Sequence, residues 1–139
     1  MFTDAASASQ GVPVEEKRRI LVVDDQESMR SLLKDMLEVI GYDTTLAEGG
    51  EHALSILKGT QFDLVLSDLN MPGMDGTALL RTVKAQYAGL PVVIITGYGT
   101  FHTEKRVIKE GADGYISKPC TLTKIQKTLS GILSPQSQS

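Results

Sequence analysis

The sequence predicts an α/β domain, a three-layer sandwich in which a five-stranded parallel sheet, ordered 2-1-3-4-5, carries five helices on its two faces. Two observations carry this reading. Ile20-Leu-Val-Val23, Leu64-Val-Leu66 and Val92-Val-Ile-Ile95 are short continuous apolar runs rich in β-branched residues, the signature of strands buried on both sides. Between them, apolar residues recur at the i, i+3, i+4, i+7 spacing of helices that bury one face. Strands alternating with helices mean βαβ units with right-handed crossovers. The commonest order for five such strands puts the first beside the third and opens a crevice between their carboxyl ends.

In chain order, residues 1–17 hold Ala, Ser, Gln, Gly and Pro with few apolar side chains, too few to repay ordering entropy, and are expected to be a disordered tail. Ile20–Val23 is the first strand and ends in Asp24-Asp25. Met29, Leu32, Leu33, Met36, Leu37 and Ile40 form the apolar stripe of the first helix, which Gly41 ends. Tyr42–Ala47 is a weaker strand suited to a sheet edge, and Ala53, Leu54 and Leu57 mark a short helix between Gly49-Gly50 and Gly59. Leu64–Leu66 then runs into Asp68, Met71-Pro-Gly73 breaks the chain, and Asp75 is placed to cap a helix marked by Leu79, Leu80, Val83 and Tyr87. Pro91–Thr96 is the fourth strand, followed by a Gly97-Tyr-Gly99 loop and a helix over 101–110 with a poor apolar stripe. Gly114–Ser117 is the fifth strand, Lys118-Pro119 follows, and Leu122, Ile125, Leu129, Ile132 and Leu133 line the last helix before a polar tail over 134–139.

Composition narrows the function classes. A chain of 139 residues is one domain of 18–133 with short tails. A net charge of −3 argues against nucleic acid as a direct partner. Cys120 alone cannot build a disulfide framework or a thiolate zinc site, which suits a cytoplasmic protein, and no run is long and apolar enough for a membrane span.

Parallel strands point one way, so Asp24, Asp25, Asp68, Thr96 and Lys118 must meet at one edge of the sheet. Two carboxylates about 4 Å apart repel by roughly 1 kcal/mol in bulk water and about 4 kcal/mol at an effective dielectric near 20. A hard divalent cation offsets that repulsion, and Mg²⁺ prefers oxygen ligands, water and a substrate phosphate. A carboxylate left accessible between a metal and a lysine is suited to attack phosphorus and form an aspartyl phosphate. Thr96 is placed to donate a hydrogen bond to a phosphoryl oxygen.

Leu21-Val-Val-Asp24-Asp25, Asp68-Leu-Asn-Met-Pro-Gly-Met-Asp-Gly76, Ile94-Ile-Thr96-Gly97 and Lys118-Pro119 together resemble, in order and spacing, the receiver domain of two-component response regulators, of the chemotaxis-regulator kind, over about Arg18 to Leu133. The resemblance implies a flavodoxin-like fold and a phosphorylation-dependent switch rather than a metabolic enzyme, one that promotes its own phosphoryl transfer and dephosphorylation. It implies Asp68 as phosphoacceptor, Asp25, Asp68 and the main-chain carbonyl of Asn70 as Mg²⁺ ligands, and Asp24 as a ligand through water. Thr96 would be the switch hydroxyl, Tyr115 the aromatic that turns inward, and Lys118 the phosphate partner across a cis bond to Pro119. The implied partners are a histidine kinase or phosphotransfer protein, and a downstream protein on the face of the fourth helix, fifth strand and fifth helix, with dimerisation on activation possible. Asn70 and Tyr98 lie where members of the family tune phosphate lifetime.

Plainer readings stand beside these. Asp24-Asp25 suits a helix cap, Tyr115 suits strand packing, Lys118 suits a solvated loop, and His52, His102 and Cys120 suit ordinary surface or packing positions. A Mg²⁺-dependent phosphoester phosphatase would also use a metal and an aspartate, but needs a cap or a second acid where Asn70 stands. A binding module with a relic pocket is the third reading.

Overall fold

The computed structural model describes residues 17–97 and 101–133, with Phe101 by its backbone only. The expected tails, apart from Lys17, and the Tyr98-Gly99 part of the expected loop lie outside the described residues. In chain order the elements are β1 (Arg19–Val23), α1 (Glu27–Ile40), β2 (Asp43–Ala47), α2 (Gly50–Gly59), β3 (Leu64–Asp68), α3 (Gly76–Gln86), β4 (Val92–Thr96), α4 (Phe101–Lys109), β5 (Gly114–Ser117) and α5 (Leu122–Leu133).

All neighbouring strands pair in parallel, in the order β2-β1-β3-β4-β5, as the alternation of elements predicts. β3 and β4 are buried at every residue, whereas β2, which flanks β1 at one edge, is mostly half-buried. Side chains alternate across the sheet. Val23, Val65 and Ile94 pack with Ala53 and Leu57 of α2, Leu79, Leu80 and Val83 of α3 and Val107 of α4. Val22, Leu66, Val93 and Ile95 face Leu33 and Leu37 of α1 and Ile125, Leu129 and Leu133 of α5. Each such valine, leucine or isoleucine side chain contributes about 1.5–3 kcal/mol of transfer free energy.

The helical stripes are narrower than the spacing suggests. In α1 only Leu33 and Leu37 are fully buried while Leu32 is 44% exposed, and in α5 Leu122 is 40% exposed. Helix period fixes which residues share a side, but the azimuth at which that side meets the sheet decides which of them are covered. α4 is the least embedded helix: among its described side chains, only Val107 is buried.

Candidate phosphoryl and metal site

Register brings the acids together. Val23 of β1 pairs with Ser67 of β3, so the next residues on the two strands, Asp24 and Asp68, emerge side by side. Asp68 in turn pairs with Ile95 of β4, the residue before Thr96, and Thr96 pairs with Ser117, the residue before Lys118. The backbone continues these ladders past the strand ends, with Leu69 N–H donating to the Ile95 carbonyl at 3.1 Å and Lys118 N–H to the Thr96 carbonyl at 2.9 Å. The Lys118–Pro119 bond is cis.

Carboxylate oxygens of Asp24, Asp25 and Asp68 all lie within 4.8 Å of one another. Asp24 is fully buried, Asp68 is 6% exposed, and Asp25 faces solvent. The Lys118 ammonium lies 3.7 Å from Asp68 Oδ1. Burial, and then the neighbouring charge of Asp24, hold the Asp68 carboxyl above its ordinary 3.8, against the opposing pull of Lys118 and of backbone hydrogen bonds from Leu69 and Asn70. Burial likewise raises Asp24, although one of its oxygens accepts a hydrogen bond from Gln26 N–H at 2.9 Å at the start of α1. The other oxygen, Oδ2, is buried with no hydrogen-bond partner among the described residues. A buried, unpartnered carboxylate oxygen is costly. Three hard oxygen donors with one oxygen unpartnered therefore fit a divalent cation, and this cluster could hold one.

Thr96 is fully buried at the tip of β4, and its hydroxyl accepts from the Asn70 side-chain amide at 3.4 Å. Tyr115 pairs with Ile94 and so lies on the same sheet face as Thr96, two residues further from the edge. Its hydroxyl is buried without a partner among the described residues, and burial, with the Glu104 charge, pushes its pKa up. Asn70 has an exposed side chain.

The loop after Asp68 is shaped by two glycines. Gly73 takes a φ of +73°, a left-handed turn conformation in which a side chain would be strained. Gly76 lies so close to β3 that a Cβ there would overlap the Asp68 carbonyl oxygen and come within 2.7 Å of Leu69 Cα. Asp75 caps α3 as expected, accepting from Ala78 N–H at 2.9 Å. Arg30 was not indicated by the sequence: its guanidinium donates to the Asp24 carbonyl at 2.7 Å. The available signal was its position one turn into the helix that follows the acidic pair, which is too common to be diagnostic.

The family model described as the response regulator receiver domain matches residues 20–130. The chain belongs to that family. As a receiver domain it is a phosphoacceptor signalling unit of two-component systems. It is 38% identical over 123 residues to the sensor histidine kinase RcsC of Escherichia coli K12, covering 88% of this chain and 13% of the kinase. It is 41% identical over 110 residues to the transcriptional regulatory protein ZraR of the same organism, covering 79% of this chain and 25% of that protein. The receiver thus spans a quarter or less of the length of these relatives. Among solved structures, the CheY-like receiver domain protein of Methanospirillum hungatei superposes with a TM-score of 0.81 at 29% identity, covering 88% of this chain and 98% of that one. The receiver domain of a signal transduction histidine kinase from Syntrophus aciditrophicus gives 0.77 at 34% identity, with coverage of 88% and 94%. Among the described residues, no helix of the receiver is long and apolar enough to cross a membrane.

Proposed function

We propose that residues 18–133 receive a phosphoryl group on Asp68 from a phosphohistidine of a kinase or phosphotransfer protein in the cytoplasm. A carboxylate oxygen of Asp68 attacks phosphorus, an O–P bond forms as the P–N bond breaks, and the electron pair leaves with the imidazole. The single observation that carries this reading is the convergence of three carboxylates within 4.8 Å, one oxygen buried without a partner, with an ammonium 3.7 Å from Asp68.

Asp24, Asp25, Asp68 and the main-chain carbonyl of Asn70 would hold Mg²⁺, which supplies charge neutralisation for the acids and for the transferring phosphoryl group. Lys118 offers its ammonium to a phosphoryl oxygen from the other side of Asp68, and the Thr96 hydroxyl donates to another. Engaging the phosphoryl group draws Thr96 away from the Asn70 amide, and Tyr115, on the same sheet face, follows into the space released. The surface of α4, β5 and α5 changes with it, and a downstream protein or a second activated copy reads that surface. The same pocket admits the water that later hydrolyses the aspartyl phosphate.

Titration of ¹⁵N-labelled protein with beryllofluoride in Mg²⁺ tests this reading. Saturable shifts of the Leu69, Thr96 and Lys118 amides are expected in wild type and none in Asp68→Asn. A wild type that does not respond, or an equal response in the variant, would contradict it.

A further inference from the structure

Among the described residues, α3 and the α4 segment are joined by three polar contacts, each between residues 29 apart. Arg106 Nη1 donates to Thr77 Oγ1 at 3.2 Å, Arg81 grips Glu110 through Nε and Nη2 at 2.6 and 3.0 Å, and Lys84 Nζ lies 2.7 Å from Asp113 Oδ2. Thr77, Arg81 and Lys84 are i, i+4 and i+7 on α3, and Arg106, Glu110 and Asp113 repeat that spacing on α4 and the turn after it. The two segments therefore lie side by side in a fixed register, closed by a polar zipper. Its lower end is anchored, because Asp113 also accepts from Val92 N–H at 2.8 Å and its own N–H donates to the Val92 carbonyl at 2.7 Å. At its upper end Thr77 is buried and follows Gly76, which is wedged against the Asp68 carbonyl. With Val107 as the one buried side chain among those described in α4, apolar packing does little to fix that helix, and a slide or roll of α4 against the anchored end would strain the Arg106–Thr77 and Arg81–Glu110 contacts together.

We propose that this zipper, with the Arg81–Glu110 pair at its centre, is a brake on the switch: it holds α4 in its resting place and sets how much phosphoryl binding energy must be spent to move it. The proposal rests on the phosphoacceptor reading above. A contact made in the resting state and lost in the switched one weakens phosphoryl binding by linkage, and removing it tightens binding by the same factor. No contact of Arg81 or Glu110 with the phosphoryl group is required.

The test compares wild type with Arg81→Met, Glu110→Gln and the charge swap Arg81→Glu/Glu110→Arg. Two readouts are taken: amide hydrogen exchange of α4 without ligand, and apparent affinity for beryllofluoride in Mg²⁺. Each single variant is expected to speed α4 exchange about threefold without altering exchange in β1 and β3, and to bind beryllofluoride about threefold more tightly, in keeping with an exposed bidentate pair. The swap should return both readouts towards wild type. Unchanged α4 exchange in the single variants overturns the proposal whatever beryllofluoride does, as does faster exchange with unchanged or weaker beryllofluoride binding, or a swap that restores neither readout. A wild type that fails to bind beryllofluoride while the variants still exchange faster overturns the phosphoacceptor reading instead, and leaves the zipper as the element that holds α4.

Discussion

Asp68 stands where stability and function oppose each other. With no cation bound, its charge sits beside those of Asp24 and Asp25, and the Lys118 ammonium at 3.7 Å only partly offsets them. Replacing it with Asn removes the repulsion, and the metal-free variant is expected to be more stable by about 1 kcal/mol, melting roughly 3–6 °C higher. The pH dependence has a definite sign. Because the folded-state pKa values of Asp24 and Asp68 are raised, the folded protein binds more protons than the unfolded chain between the ordinary value of 3.8 and the raised one. Stability therefore falls as pH rises through that window and is regained below it. Thermal melts in chelator should show the gap between variant and wild type narrowing as pH is lowered from neutrality, and a variant that melts lower at neutral pH would refute the crowding. Gly76 makes a different demand on the same loop. Gly76→Ala places a methyl group against the backbone of Asp68 and Leu69, which cannot yield as a side chain would, so a loss of about 1–3 kcal/mol is expected in chemical denaturation. A neutral result would mean that the α3 start can retreat from β3 freely.

At the scale of elements, the strands are the buried frame and α4 is the least embedded helix. β3 and β4 are buried at every residue, and α3 covers them with Leu79, Leu80 and Val83 beneath a capped first turn. α4 contributes Val107 to that core, while Ile108, His102 and Lys105 remain exposed. Local opening costs least where few apolar contacts are lost. Native-state hydrogen exchange should therefore protect α3 more strongly than α4, with β1, β3 and β4 above both, and equal protection of α3 and α4 would show that α4 is more firmly seated than its burial implies. The weak apolar stripe of residues 101–110 was already visible in the sequence. The compensating contacts to α3 were not, because a polar reach between residues 29 apart depends on how two helices are placed side by side, and single-chain periodicity carries no such information.

Across the whole molecule, the order of apolar runs and turn residues was enough to predict the parallel sheet, its 2-1-3-4-5 order and the edge at which the acids meet. This follows from the rule that strands buried on both faces read as continuous apolar runs while their carboxyl ends share one side. Finer features depended on tertiary placement. Leu32 and Leu122 fall on the predicted stripes and yet are 44% and 40% exposed, and the grip of Arg30 on the Asp24 carbonyl has no counterpart in spacing or composition. What unites the fold is the convergence of Asp24, Asp25, Asp68, Thr96 and Lys118 from four strand ends. The measurement that tests this most directly is intact mass followed by peptide mapping after incubation with acetyl phosphate and Mg²⁺. A single phosphoryl adduct on the peptide containing Asp68, absent in Asp68→Asn and absent without divalent cation, is the predicted result. An adduct that persists in Asp68→Asn, or none in the wild type with Mg²⁺, would contradict the account.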